Sequence, residues 1–169
     1  MERTLVIIKP DGMERNIIGD VIKRFESADL RIVGLKMIKA DLSLMKKHYP
    51  DSMIPILGEK SVKAGAKVKD VNKQGKKVLG WLRKFMMSSP VVAMVLQGEN
   101  AVKKVRQIVG STDPSEADVG TIRADYSNDS IAVANAENRT VRNIVHASGN
   151  PEEAKKEISI WFKDNEIFG

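Results

Sequence analysis

Apolar and polar positions along this chain switch between two periods, and the switches mark its elements. Leu5-Val6-Ile7-Ile8 is an uncharged run closed by Lys9-Pro10-Asp11-Gly12. It reads as a buried strand ending in a turn, because Pro presets φ and Gly tolerates positive φ. From Asn16 to Phe25, the apolar residues Ile18, Val21, Ile22 and Phe25 fall on one helical face. Arg31 to Lys39 is β-rich and predicts a second strand, and Asp41 is placed to cap a short helix reaching Tyr49. Lys76 to Met86 predicts a helix with Leu79, Leu82 and Met86 in one stripe. Val91 to Leu96 carries no charge and predicts a central strand. Asn100 to Val109 predicts a helix capped by Asn100 and stopped by Gly110, and Val141 to His146 a further strand. Asn150-Pro151-Glu152-Glu153 opens the last helix, with Asn as cap, Pro first inside and Glu153 where a capping box needs it. That helix runs to about Phe162, with Ile158, Trp161 and Phe162 facing inward.

The resulting order is β-α-β, a helical connection, β-α, a long loop and β-α. This split βαβ pattern predicts an α/β (α+β) ferredoxin-like sandwich: an antiparallel four-stranded sheet with helices packed on one face. Neither a repeat nor a linker interrupts it, so residues 1–169 are expected to form a single domain. Two stretches carry little core signal, at about 51–75 and 126–140. Loops beyond ~12–15 residues are uncommon in compact domains, so each is expected to be an insertion with some structure of its own.

Composition narrows the chemistry. The 169 residues include no cysteine, which excludes thiolate metal sites, thiol catalysis and disulfides. No apolar run nears the ~20 residues that cross a bilayer, and the start lacks the marks of a signal peptide. A soluble, cytoplasmic protein without membrane contact is the expectation. The net charge of +6 is concentrated between Glu59 and Lys77, where seven lysines face two acids. No aromatic side chain interleaves them, so the stretch reads as a solvated surface excursion rather than a nucleic-acid platform.

There are two histidines. His48, at the end of a short helix, is expected in a surface or cap role. His146 ends an apolar strand just before a capped helix, close to N–H groups that favour anions. Taken alone, it fits a structural histidine better than a reactive one. Around it stand polar residues at strand ends and loops: Lys9, Arg106, Thr112, Arg123 and Asn143. Three cations, a hydroxyl and an amide suit a polyphosphate, since Arg offers forked donors and Lys a point charge. No Walker-type Gly-Lys-Ser/Thr loop is present, which disfavours a P-loop kinase. A neutral imidazole beside such a cradle is a competent phosphoryl acceptor.

Lys9-Pro10-Asp11-Gly12, Ser89-Pro90-Val91-Val92-Ala93-Met94-Val95, Gly120-Thr121-Ile122-Arg123-Ala124-Asp125 and Asn143-Ile144-Val145-His146-Ala147-Ser148 resemble, in order, the motifs of nucleoside diphosphate kinases. The resemblance extends from Arg3 to Phe162 apart from the two insertions, and is to the longer archaeal-type members. It implies a phosphotransferase that moves the terminal phosphate of a nucleoside triphosphate to a diphosphate by a ping-pong route through phospho-His146. It further implies that Lys9 and Tyr49 contact the transferring phosphate. Arg106, Thr112 and Arg123 would hold the polyphosphate and Asn143 the sugar hydroxyls, while Ser148 and Glu157 would lie behind the imidazole, Glu157 orienting it. Mg²⁺ would be held by the nucleotide's phosphates and water rather than by protein ligands. A homo-oligomer, typically a hexamer, is implied as well. The family's base-stacking Phe has no aromatic counterpart: counting back from Ser88 without gaps places Val78 there, an aliphatic contact with less stacking energy.

Overall fold

A computed structural model describes residues 1–169. In chain order its elements are β1 (Glu2–Ile8), α1 (Pro10–Glu14), α2 (Ile18–Glu26), β2 (Arg31–Ile38), α3 (Leu42–His48), α4 (Ile54–Lys63) and α5 (Val71–Met86). They continue with β3 (Val91–Gly98), α6 (Ala101–Val109), α7 (Ile122–Tyr126), α8 (Ile131–Ala136), β4 (Val145–Ala147) and α9 (Pro151–Trp161). The four strands form one antiparallel sheet in the order β2-β3-β1-β4. The uncharged strand β3 is buried along its whole length between β2 and β1, as its composition predicted. No helix is long and apolar enough to cross a membrane.

Helices cover both faces of this sheet, not one. Val6, Ile8, Val92, Met94 and Leu96 pack with α2 and α6 through Val21, Phe25, Ala101 and Val105. Leu5, Ile7, Val91, Ala93 and Val95 pack on the opposite side with Met45, Leu79, Met86 and Trp161 of α3, α5 and α9. The reason lies in β1 and β3 themselves. Residues of opposite pleat are all apolar, so neither face tolerates water.

Local chemistry explains where boundaries differ from expectation. Asp41 caps α3 as predicted, accepting from the Leu44 N–H at 2.7 Å. Asn150 caps α9 by accepting from the Glu153 N–H at 2.8 Å, but the Glu153 carboxylate accepts from the Gly149 N–H, one residue earlier than a capping box requires. Asn100 does not cap α6 with its side chain: it takes a left-handed conformation (φ 52°), and Glu2 accepts from the Val102 N–H at 2.9 Å instead. The strand expected over 141–146 shortens to Val145–Ala147. Before it, the Arg142 and Ile144 N–H groups donate to the Asp129 and Asp11 carboxylates, and Ile144 turns to φ 70°, so the chain leaves the ladder there.

The two stretches of weak core signal carry helices of their own. The first holds α4 and the start of α5, with Asp70 accepting from the Lys73 N–H at 3.0 Å as cap. These two helices cross at Gly58 and Gly75. A Cβ on Gly58 would fall on the Val71 carbonyl oxygen, and one on Gly75 on the Ile54 carbonyl oxygen. The second stretch holds α8, whose Asn135 accepts from Ser61 at 3.3 Å and from Gln74 at 3.4 Å. α4, α5 and α8 thus stand together.

Candidate active site

Lys9, Tyr49, Arg106, Thr112, Arg123, Asn143 and His146 all line one cavity of about 280 Å³. They come from the turn after β1, the residue after α3, α6, the loop before α7, α7 itself, the segment before β4 and β4, so seven residues spread over most of the chain meet at one place. Arg106 and Thr112 are exposed at its mouth, whereas Lys9, Arg123 and Asn143 are buried in its wall. Ser148 and Glu157 lie behind His146, both buried.

The imidazole is held from the back. His146 Nε2 lies 2.8 Å from Glu157 Oε1, and Ser148 Oγ donates to the other Glu157 oxygen at 2.6 Å. Burial, and after it the charge of Lys9, lowers the His146 pKa to about 3. The ring is therefore neutral near pH 7. Against a carboxylate, its proton sits on Nε2, which donates to Glu157. Nδ1 is then the nitrogen with no hydrogen-bond partner and a free lone pair. The side chain is 15% exposed, enough for that edge to be reached from the cavity. Burial pushes the Glu157 pKa up, and the hydrogen bond from Ser148 opposes that shift.

The cradle is wired just as tightly. Lys9 Nζ donates to Asn143 Oδ1 at 2.7 Å, and Asn143 Nδ2 donates to the Thr112 carbonyl at 2.8 Å. Arg123 donates to three backbone carbonyls, of Asn143 (3.2 Å), Gly110 (3.0 Å) and Val145 (2.9 Å). Its guanidinium thus both ties the loops together and presents charge to the cavity. Burial brings Lys9 down to about 8 and Arg123 to about 10, each helped by neighbouring cations, with Asp11 pulling the opposite way. Burial pushes the Tyr49 phenol up, so it stays a neutral donor. Positive charge confined in a desolvated wall attracts phosphate more strongly than the same charges in water.

His48 is no surface residue. It is 5% exposed, with its ring 4.2 Å from Tyr49, 4.5 Å from His146 and 5.4 Å from Trp161 between centroids. Both its nitrogens lack a hydrogen-bond partner, and burial lowers its pKa to about 3. It backs the His146 ring, with its Nδ1 3.5 Å from Glu157 Oε1. Its adjacency to Tyr49 in sequence was the one available signal. Asp11, 3% exposed, is a second residue whose part the local pattern did not reveal.

His48, His146 and Glu157 offer three candidate metal-ligand atoms within 4.8 Å of one another. That nitrogen-rich set does not suit Mg²⁺, which takes oxygen ligands. Glu153 is the one carboxylate in the cavity lining. The lining also holds the apolar Met53, Leu57, Val78, Leu82 and Ile131 beside the polar Lys60, Ser61, Asn135 and Arg139, with no Phe or Trp ring among them.

A family model described as nucleoside diphosphate kinase matches residues 2–54 and 66–167. A nucleoside diphosphate kinase of Pyrobaculum aerophilum is 44% identical, the alignment covering 99% of this chain and 98% of that protein. Its counterpart in Borreliella burgdorferi is 40% identical, covering 99% and 90%. Among solved structures, an NDP kinase from Pyrobaculum aerophilum superposes with a TM-score of 0.93 over 99% of both chains, at 40% identity. The Borrelia burgdorferi nucleoside-diphosphate kinase, solved as a transition-state mimic with bound vanadate and ADP, gives 0.85 at 40% identity over 99% of this chain and 90% of that one.

Proposed function

The chain belongs to the nucleoside diphosphate kinase family, whose members are phosphotransferases, and from that premise we propose that it moves the γ-phosphate of a nucleoside triphosphate to a diphosphate through a phosphohistidine on His146. The observation that carries the reading is the direction of the imidazole. With Nε2 held by Glu157 at 2.8 Å, Nδ1 is the free nucleophile, and the cavity beside it is walled by Lys9 and Arg123.

In the first half-reaction the Nδ1 lone pair attacks the γ-phosphorus, and the bond from phosphorus to the β–γ bridging oxygen breaks. The diphosphate leaves with that electron pair. In the second, a β-phosphate oxygen of the acceptor attacks the same phosphorus, the P–N bond breaks and its pair returns to Nδ1. Lys9, Arg106 and Arg123 balance the charge on the phosphoryl oxygens, and the neutral Tyr49 hydroxyl adds a donor. Glu157 stabilises positive charge as it develops on the ring. Asn143 and Thr112 would orient the sugar and phosphates, while Met53, Leu57, Val78 and Leu82 give the base an aliphatic seat. Mg²⁺ would arrive on the phosphates and supply further neutralisation of their charge.

The test is incubation with radiolabelled ATP and Mg²⁺. The wild type should acquire an acid-labile phosphate that His146→Ala does not, and initial velocities with a second nucleoside diphosphate should give parallel double-reciprocal lines. Equal labelling of the variant, or intersecting lines, refutes the route.

A further inference from the structure

The turn after β1 is built around one residue of another segment, Ile144. Lys9 N–H donates to the Ile144 carbonyl at 2.8 Å, and Asp11 Oδ2 accepts from the Ile144 N–H at 2.8 Å. A Cβ on Gly12 would lie 3.1 Å from the Ile144 carbonyl oxygen and 3.3 Å from its Cγ2, so glycine leaves the room that this approach needs. Both backbone groups of Ile144 are thus gripped by the turn. Ile144 itself has φ 70°, a region that a β-branched side chain enters only under constraint. Asn143 precedes it and His146 follows two residues later, so the grip sets the aim of both. The second Asp11 oxygen, Oδ1, is buried and accepts no hydrogen bond.

We infer that Asp11 is a positioning residue of the phosphotransfer site: its carboxylate holds the strained peptide of Ile144, and its negative charge acts on Lys9 through space. The inference rests on the phosphohistidine reading above. The groups whose charge bears on the Lys9 ammonium come from four elements: Asp11 of α1, Arg123 of α7, His146 of β4 and His48 of α3. With both imidazoles neutral, Asp11 stands alone against Arg123. A carboxamide at position 11 keeps an acceptor for the Ile144 N–H but loses the charge, while alanine loses both.

The experiment compares wild type, Asp11→Asn and Asp11→Ala for kcat, KM and the pH profile of kcat/KM, with phosphohistidine labelling alongside. Asp11→Ala is expected to lower kcat about 10–100-fold with a smaller change in KM, because the reacting groups lose their aim. Asp11→Asn is expected to retain more kcat at pH 6.5 than Asp11→Ala, and to move the alkaline limb of kcat/KM down by about 1 pH unit. A purely structural aspartate would not move that limb. An alkaline limb in Asp11→Asn that coincides with wild type, or equal kcat losses in the two variants at pH 6.5, overturns the inference. Should Asp11→Ala fail to fold, the limb of Asp11→Asn decides alone. Absent labelling of wild-type His146 would refute the phosphohistidine route itself, whereas labelling without these shifts removes only the role of Asp11.

Discussion

Replacing Lys9 by Met is expected to stop turnover and stabilise the chain in the same stroke. Lys9 is 5% exposed, and burial brings its pKa from 10.5 to about 8. At about 1.4 kcal/mol per unit, the folded state carries ~3 kcal/mol for holding that ammonium at pH 7. Met is unbranched, of similar length, and carries no charge. The substitution also leaves Asn143 Oδ1 without the Lys9 donor at 2.7 Å, a loss of ~1 kcal/mol. The net gain is ~2 kcal/mol, or a rise in Tm of ~4–8 °C for a chain of this size. The sign with pH follows from the depressed pKa. Below about 8 both states hold the proton and the folded state bears the whole cost. As pH rises from there toward 10.5, the folded form sheds its proton first and the wild type recovers stability. Melts of the two proteins should therefore differ most at pH 7 and converge by pH 10. A variant that melts below wild type at pH 7, or keeps the same margin at both pH values, refutes the reasoning.

Two glycines of α5 should respond in opposite directions. Gly75→Ala drives a methyl onto the Ile54 carbonyl and should cost ~3 kcal/mol by splaying α4 from α5, seen as faster amide exchange in both helices. Gly80→Ala meets nothing within 4 Å and should gain ~0.5–1 kcal/mol in chemical denaturation. Arg123→Lys cannot span the carbonyls of Asn143, Gly110 and Val145. It should lose ~2 kcal/mol of stability and at least ~100-fold in kcat/KM, although the charge is kept.

What local pattern revealed and what it did not divide along physical lines. The uncharged β3, the stripe of α5 and the Asn150-Pro151 start of α9 declare themselves through neighbours in sequence. Caps and periodicity are short-range properties, so these elements stood close to their predicted places. The two-sided burial of the sheet was also legible in principle, because Leu5 to Ile8 offers no polar alternation; expecting one covered face neglected it. Misplacements cluster where a partner is far away in the chain. Asn100 gives up its capping role to Glu2, and residues 142–144 leave the ladder for Asp129 and Asp11. His48 is buried against a histidine and a tryptophan nearly a hundred residues or more away, which no helix-end pattern displays. The cradle residues could be proposed from their chemistry at strand ends and loops, and the resemblance to a family added Tyr49, Ser148 and Glu157. Their convergence on one cavity is a property of the folded chain alone.

The strand that carries His146 is only three residues long, and it pairs with β1 through Val6, Ile7 and Ile8. Sliding that pairing by a single step would swing the imidazole into the opposite layer, among Val21 and Phe25, out of reach of any nucleotide. So few rungs give little resistance to such a slip. The kink one residue upstream, gripped by the turn after β1, opposes that slip, so the seating of this edge and the reach of the reactive ring are fixed together.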